Sequence, residues 1–246
     1  MVKLWAVTDI GLVRKENQDA YATVQETSTG HTICVVCDGM GGPAGGKLAS
    51  KIAVETFTSE LEKILTTEMS SEQLREASSY AVSLANQAIC KAAKELEEYR
   101  DMGTTLVAAV VRENEAVITN VGDSRAYHIC ESGIRRVTKD HSLVERMVDH
   151  GDITAEEARY HPNRNLITRA LGSDSNAESD GFFCSLQPGE FLLLCTDGLS
   201  GTVTDQEMLF EVIHGEDHDT CLERLMKIAK SQGAPDNVTA VLMRNL

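Results

Sequence analysis

Residues 104–138 read TTLVAAVVRENEAVITNVGDSRAYHICESGIRRVT and contain four strand-like runs separated by the short turns ENE, GDS and ESG. Apolar runs rich in β-branched residues and bounded by polar turn residues indicate β-strands. These turns leave no room for crossover helices, whereas parallel pairing needs a connection of a dozen or more residues. The stretch therefore predicts a four-stranded antiparallel meander.

The rest of the chain alternates between blocks of strand and blocks of helix. Apolar runs predict strands at 4–9, 32–38, 191–197 and 237–244, and helical spacing predicts helices at about 49–65, 71–99, 205–214 and 218–232. Residues 140–180 are polar and irregular, and a stretch of that length is typical of a functional flap. We predict an α+β fold: a central antiparallel β-sandwich flanked by helices on both sides, in four layers, with a flap near 143–180.

The length and composition of the chain limit the classes of function that it can have. A chain of 246 residues suits one domain spanning 1–246, and a net charge of −15 disfavours nucleic acid as a partner. No apolar run approaches the roughly 20 residues that span a bilayer, and the N-terminus lacks a signal-peptide layout. We expect a cytoplasmic protein that does not enter membranes, a monomer by default. Its seven cysteines are expected to be reduced, with Cys34 and Cys37 on opposite faces of one strand.

The stretch VVCDGMGGPAGGKLAS (35–50) fits three kinds of motif. Its G-x-x-x-x-G-K run resembles a nucleotide-binding P-loop, but Leu48 stands where that motif needs Ser or Thr to ligate magnesium. Its G-x-G-x-x-A run outlines a dinucleotide fingerprint, but Asp38 would direct a carboxylate at the pyrophosphate. The third interpretation makes Asp38 a metal ligand at the end of a strand.

The recurrence of aspartates at strand ends favours the interpretation of Asp38 as a metal ligand. Strands ending in Asp-Gly occur at 33–39 and 192–198, and three more aspartates lie near strand ends: Asp19, Asp123 and Asp236. Antiparallel strands bring the start of one strand beside the end of another, so these carboxylates can meet at one edge of the sandwich. Grouped carboxylates repel one another unless cations neutralise them, and oxygen ligands suit Mg²⁺ or Mn²⁺.

Eight motifs in order along the chain resemble those of the bacterial type 2C metal-dependent Ser/Thr protein phosphatases. They are G-x-x-R-x-x-N-Q-D (11–19), D-G-M-G-G (38–42), G-T-T (103–105), V-G-D-S-R (121–125), D-H-S (140–142), H-P-x-R-N-x-I-T-R-A-L-G (161–172), T-D-G-L (196–199) and D-N-V-T (236–239). Each motif is weak alone, but the ordered set is highly specific. The family fold is a β-sandwich flanked by helices, which agrees with the prediction above.

The resemblance implies a set of site residues. Asp38 would bridge two ions, the Gly39 carbonyl would complete one of them, and Asp197 and Asp236 would hold the other. Asp19 would act through a metal-bound water, and a third, weaker ion would be shared by Asp123 and Asp197. Arg14 would bind the substrate phosphate, a task that suits a planar guanidinium.

The resemblance also implies the reaction. Two Mn²⁺ or Mg²⁺ ions would lower the pKa of a bridging water, and the hydroxide would hydrolyse phosphoserine or phosphothreonine on proteins without a phosphoenzyme. A bacterial Ser/Thr kinase acting on the same substrates is the expected partner. Met40 stands where eukaryotic relatives commonly have a His general acid, so a metal-bound water is the expected acid. We expect His141 and His161 to be structural.

Two alternatives remain at this point. Cys130 and Arg136 fit the C-x-x-x-x-x-R signature of cysteine-dependent phosphatases, although ESG reads as a hairpin turn and Glu131 would oppose a thiolate. A phosphatase fold without metals would be a non-catalytic phosphoprotein-binding module, but every aspartate of the expected centre is present.

Overall fold

The computed structural model describes residues 1–95, 97–215 and 217–246, and these residues form two antiparallel sheets between two groups of helices. The strands are β1 Val2–Asp9, β2 Asp19–Val24, β3 Thr32–Met40, β4 Gly103–Thr104, β5 Leu106–Arg112, β6 Glu115–Val121, β7 Arg125–Cys130, β8 Gly133–Arg136, β9 Asp180–Ser185, β10 Phe191–Cys195 and β11 Val238–Asn245. The α-helices are α1 Gly42–Ile64, α2 Ser71–Ala92, α3 Leu143–His150, α4 Ala155–Tyr160, α5 Asp197–Ser200, α6 Asp205–Ile213 and α7 Cys221–Ser231.

The two sheets pack face to face, as predicted. Sheet 1 has the order β1-β11-β10-β7-β8, and sheet 2 has the order β2-β3-β5-β6-β9. One apolar cluster fills the space between the sheets, a second joins sheet 2 to α1 and α2, and a third joins sheet 1 to α5, α6 and α7. The four-layer α-β-β-α class is therefore confirmed. Within the described residues, no helix has the length and apolarity needed to cross a membrane.

The central strands read as unbroken apolar runs because both of their faces are buried. In β3, Cys37 belongs to the cluster under α1 and α2, whereas Cys34 belongs to the cluster between the sheets. The two thiols thus lie on opposite faces, as the strand period of two requires. All seven cysteines are free.

The prediction of one continuous four-stranded meander at 104–138 is wrong between its second and third strands. β5 pairs with β6 and β7 pairs with β8, but β6 lies in sheet 2 and β7 lies in sheet 1. The chain crosses between the sheets at 122–124, where Gly122 has a φ of +102° and a Cβ would overlap the side chain of Thr105. Runs buried on both faces carry no signal for the sheet in which they lie, so the sequence could not show this crossing.

The region 143–180 has more structure than its sequence predicts. It contains α3 and α4, each started by a side chain that accepts a hydrogen bond from the first turn: Ser142 from the Glu145 amide and Thr154 from the Glu157 amide. The region ends where β9 joins the edge of sheet 2, and the sequence prediction missed that strand. Among the predicted helices, 71–99 is too long, since α2 ends at Ala92; residue 96 lies outside the described residues.

Candidate metal centre

The five predicted aspartates lie at the ends of strands on one edge of the sandwich. Asp19 begins β2 and lies directly opposite Asp38 of β3 in the antiparallel register. Asp123 follows β6 at the crossing between the sheets, Asp197 begins α5 after β10, and Asp236 precedes β11. Both sheets therefore contribute carboxylates to the same edge.

Four of these aspartates line one open cavity of about 780 Å³. They are Asp38, Asp123, Asp197 and Asp236, and the cavity wall also includes Gly39 and Arg14. Asp19 does not line the cavity but lies behind Asp38. Among the described residues that line the cavity, acidic side chains outnumber basic ones by five to two.

The electrostatics of this edge are unfavourable in the protein alone. Burial raises the pKa of Asp38 well above its usual range, and the charges of Asp19, Asp197, Asp123 and Asp236 raise it further. Burial, with Asp197 as the next contributor, raises the pKa of Asp123 to about 8. Burial raises the pKa of Asp19 to about 7, although the Thr239 and Thr196 hydroxyls oppose the rise. These carboxyls are ionised together only if a positive charge joins them.

Asp38 and Asp197 interact directly with each other within this group. Burial and the charge of Asp236 raise the pKa of Asp197, while a hydrogen bond between the Asp38 and Asp197 side chains and the charges of Arg125 and Arg14 oppose the rise. Two carboxyl groups can share a hydrogen bond only while one of them is protonated. A cation between them would replace that proton.

Two buried oxygens at this edge have no hydrogen-bond partner: Oδ1 of Asp19 and Oδ1 of Asp197. A buried acceptor without a hydrogen-bond partner costs free energy, and a ligand bound to these two oxygens would remove that cost. Carboxylates and a backbone carbonyl are hard oxygen donors of the kind that bind Mg²⁺ and Mn²⁺. The residues present therefore fit the divalent ions expected from the sequence.

The Asp38–Gly39 backbone is fixed in place around this edge. The Asp38 amide donates to Oγ1 of Thr105 at 3.0 Å, and the Asp38 carbonyl accepts from the Thr105 amide and the Thr104 hydroxyl at 2.9 and 2.8 Å. A Cβ at Gly39 would overlap the Gly46 carbonyl of α1, so the glycines let the loop and the helix pack backbone against backbone.

Arg14 lies at the mouth of the cavity. Its Nη2 donates to Oδ2 of Asp236 at 2.7 Å, and its side chain is 56% exposed. The pair raises the pKa of Arg14, chiefly through the hydrogen bond to Asp236. An exposed guanidinium beside the carboxylates is available to an anionic ligand.

Asn237 holds the loop that carries Arg14, a role that sequence reasoning missed. Its Nδ2 donates to the carbonyls of Ile10 and Glu16 at 2.9 and 3.0 Å, and its Oδ1 accepts from the Gln18 amide at 2.8 Å. Asn237 lies in the D-N-V-T motif, so the motif marked the position without revealing its task. The same is true of Thr105 in G-T-T, which contacts Ser124 across the crossing at 2.7 Å.

The two histidines have structural contacts. His141 is buried, its Nδ1 accepts from the Gly122 amide at 3.1 Å, and its Nε2 lies 3.2 Å from Asp180. His141 therefore fixes the crossing next to Asp123. Nδ1 of His161 accepts from the Asn163 amide at 3.1 Å within the flap. Met40, at the end of β3, lines the cavity and offers no proton.

The Cys130 alternative is not supported by the geometry. Cys130 ends β7 and pairs with Gly133, which begins β8, so a tight hairpin turn follows the thiol and not a phosphate-binding loop. The Arg136 guanidinium is bound to Glu145 at 2.6 Å and lies 3.5 Å from Asp140. Cys130 also lies at the end of β7 opposite to Asp123.

Comparison with known proteins gives a consistent picture. The family model described as protein phosphatase 2C matches residues 13–243. The serine/threonine phosphatase stp of Listeria welshimeri is 36% identical over 240 residues, covering 97% of this chain and 94% of that protein.

Two solved structures extend the comparison. The serine/threonine phosphatase Stp1 from Staphylococcus aureus is 36% identical, with a TM-score of 0.93 over 100% of this chain and 96% of the other. The catalytic domain of the serine threonine protein phosphatase PstP, in complex with two manganese ions, is 31% identical, with a TM-score of 0.85 over 99% and 97% of the two chains.

The repulsion at this edge predicts the effect of neutralising Asp123. In EDTA, we expect Asp123→Asn to raise the free energy of unfolding by about 1–2 kcal/mol. In the wild type, the Asp123 carboxyl is either ionised and repelled by its neighbours, or protonated at a pH above its ordinary pKa. Each state costs free energy, and the neutral amide of asparagine avoids both costs. Urea denaturation measures the change, and added Mn²⁺ should stabilise the wild type more than the variant.

Glu62→Gln on the exposed surface of α1 is the matched control and should change stability by less than about 0.5 kcal/mol. If Asp123→Asn were less stable than the wild type in EDTA, the carboxylates would not repel one another as described.

Proposed function

The chain belongs to the protein phosphatase 2C family and is a metal-dependent protein serine/threonine phosphatase, and we propose that its aspartate-lined cavity holds two divalent ions. In this proposal Asp38 binds both ions, the Gly39 carbonyl completes one, and Asp197 and Asp236 hold the other. Asp123 and Asp197 share a third, weaker ion, and Asp19 acts through water. The convergence of four aspartates from both sheets on one cavity beside Arg14 carries the proposal.

Each group has a distinct part in the hydrolysis. Divalent ions at such a centre neutralise charge on the phosphoryl group and supply a nucleophile from water at neutral pH. Arg14 binds the phosphate oxygens of the substrate, exchanging its present contact with Asp236 for the incoming anion. Thr104 and Thr105 hold the Asp38 backbone still, so that little reorganisation is needed when the substrate arrives.

The leaving serine or threonine oxygen needs a proton, and Met40 has none to give. His141 is committed to Gly122 and Asp180 behind the crossing, and its imidazole is buried. We assign the proton to water in the open cavity. The presence of a methionine at position 40, which cannot donate a proton, is thus compatible with turnover.

A second groove continues the site towards the flap. It encloses about 850 Å³ between α3 and α4 on one side and α5 and α6 on the other, and it shares Asp123, Asn165 and Asp197 with the metal cavity. Its wall carries charges of both signs, including Arg159 and Glu156. We propose that this groove takes the polypeptide flanking the phosphorylated residue, which would make the flap a determinant of substrate choice.

Phosphorylated proteins are the substrates, and we propose that a bacterial Ser/Thr kinase supplies them. The proposed place of action is the cytoplasm, because seven free thiols, five of them buried, suit a reducing compartment. A monomer is the proposed working unit, since both sheets that build the cavity come from one chain.

The function is tested by hydrolysis of a phosphothreonine peptide. We expect turnover with Mn²⁺, none in EDTA, and a loss of about a hundredfold or more in Asp38→Asn and Asp236→Asn, because each variant removes a charged ligand from the centre. Released phosphate is measured at a fixed Mn²⁺ concentration, with folding of each variant checked by circular dichroism.

Cys130→Ser and Glu62→Gln are the controls and should retain wild-type turnover. Activity that survived EDTA but was lost in Cys130→Ser would show that the Cys130 thiol, and not a metal centre, carries out the reaction. Peptide binding without turnover at any metal concentration would instead indicate a phosphoprotein-binding module.

Arg14 should affect substrate binding. We expect Arg14→Lys to raise KM for the phosphopeptide about tenfold, because an ammonium keeps the charge but loses the bidentate fork, and Arg14→Ala to raise it further. Steady-state kinetics separates KM from kcat, and calorimetry with Mn²⁺ shows whether the metal affinity has changed. An unchanged KM in Arg14→Ala would contradict the phosphate role, as would a loss explained wholly by weaker Mn²⁺ binding.

A further inference from the structure

A second group of potential metal ligands lies at the far end of sheet 1. His128 and Cys130 are two residues apart on β7, so they project to the same face, and Glu190 immediately precedes β10, the neighbouring strand. Cys130 and Arg125 are the two ends of β7, five residues apart, which puts roughly 17 Å between this group and the catalytic edge.

The three side chains lie close together, and two of them are in contact. Nε2 of His128 lies 2.9 Å from Oε2 of Glu190, and one ligand atom from each of His128, Cys130 and Glu190 lies within 4.8 Å of the other two. The side chains of His128 and Glu190 are 15% and 24% exposed, so the group is sheltered but open to an entering ion.

Neighbouring polar groups orient two of the three. The Gln187 amide donates to Oε2 of Glu190 at 2.8 Å, and the Ser132 hydroxyl lies 2.9 Å from Sγ of Cys130. Burial raises the pKa of Glu190, but the Gln187 amide and His128 outweigh it, so the pKa is lowered and the carboxylate is held in its charged form. Such outer contacts are typical of ligating side chains in metal sites.

The nearby cation Arg135 does not block the site. Arg135 lies opposite His128 on β8, and its Nη2 donates to Sγ of Cys184 at 3.8 Å, on the facing sheet. One thiolate and one carboxylate would balance the charge of a divalent ion. The local charge therefore permits a cation.

The donor set selects a different metal from that of the catalytic centre. One sulfur, one imidazole nitrogen and one carboxylate oxygen suit Zn²⁺, whereas Mg²⁺ and Mn²⁺ prefer oxygen alone. Tetrahedral coordination at ordinary zinc distances puts neighbouring ligand atoms about 3.3–3.6 Å apart. The His128–Glu190 separation of 2.9 Å is shorter than this spacing by a few tenths of an ångström, and the Cys130 sulfur lies within 4.8 Å of both partner atoms.

We propose that His128, Cys130 and Glu190 form a zinc site that is independent of the catalytic centre, with the remaining tetrahedral position open to water. The bound ion would link β7 to the residues preceding β10 and stabilise this end of the sandwich. Hydrolysis in Mg²⁺ or Mn²⁺ does not require it.

Cobalt is the spectroscopic probe for this site, because only a thiolate ligand gives a sulfur-to-cobalt charge-transfer band. The full chain, saturated with Mg²⁺, is titrated with Co²⁺. We expect one equivalent to produce the band, Zn²⁺ to abolish it, and Cys130→Ser to lose it. Cys90→Ser, which removes another partly buried thiol, is the matched control and should keep it. Absence of the band, or a band that persists in Cys130→Ser, overturns the proposal.

Stability measurements supply a second readout. In Mg²⁺, added Zn²⁺ should raise the Tm of the wild type by a few degrees, and Glu190→Gln should bind Zn²⁺ at least about tenfold more weakly in competition with a chelator. Cys130→Ser should retain phosphopeptide turnover while losing the Zn²⁺ response, which separates this site from the catalytic one. An equal Zn²⁺ response in the wild type and Cys130→Ser would refute the site.

Discussion

Mutual repulsion among buried carboxylates is the constraint around which this molecule is built. Asp19, Asp38, Asp123 and Asp197 all have raised pKa values, with burial as the largest cause and the charges of neighbouring aspartates among the rest. A fold that assembles such a group loses stability at that edge and recovers it when divalent ions bind. The metal requirement of the enzyme and the instability of its metal-free edge therefore have the same origin.

The two sheets supply the rigidity that holds these charges together. Strands buried on both faces end at the same edge, and short polar contacts fix the places where they end. Thr105 and Ser124 join the two sheets at the crossing, His141 supports Gly122, and Asn237 ties the Arg14 loop to β11. The open cavity is thus a cleft in a packed scaffold, and the flap adds a groove along one side of it.

Much of this arrangement could be predicted from the sequence, for identifiable physical reasons. Fully buried strands leave long apolar runs such as ICVVC and FLLLC, and the aspartates that follow them stand out as charge at the end of a core element. The motifs then predicted the candidate site residues position by position, and the structure brings Asp38, Asp123, Asp197, Asp236 and Arg14 around one cavity with Asp19 behind it.

Other features had no local signal. The passage from β6 to β7 changes sheets at Gly122, but a glycine in a turn looks the same whether the next strand pairs with the last or joins another sheet. The helices α3 and α4 span only eight and six residues, too few for their apolar spacing to stand out within a polar, irregular region, and capping by Ser142 and Thr154 marks where they begin. Glu190 approaches His128 only because β7 and β10 pair, across 62 positions of sequence.

The central claim is that carboxylates from both sheets ligate divalent ions in one cavity, and anomalous diffraction from crystals grown with Mn²⁺ tests it most directly. The account predicts two strong manganese peaks, one bounded by Asp38 and Gly39 and one by Asp38, Asp197 and Asp236, with a weaker third peak near Asp123. No manganese in this cavity, or manganese bound without Asp38, would contradict the account.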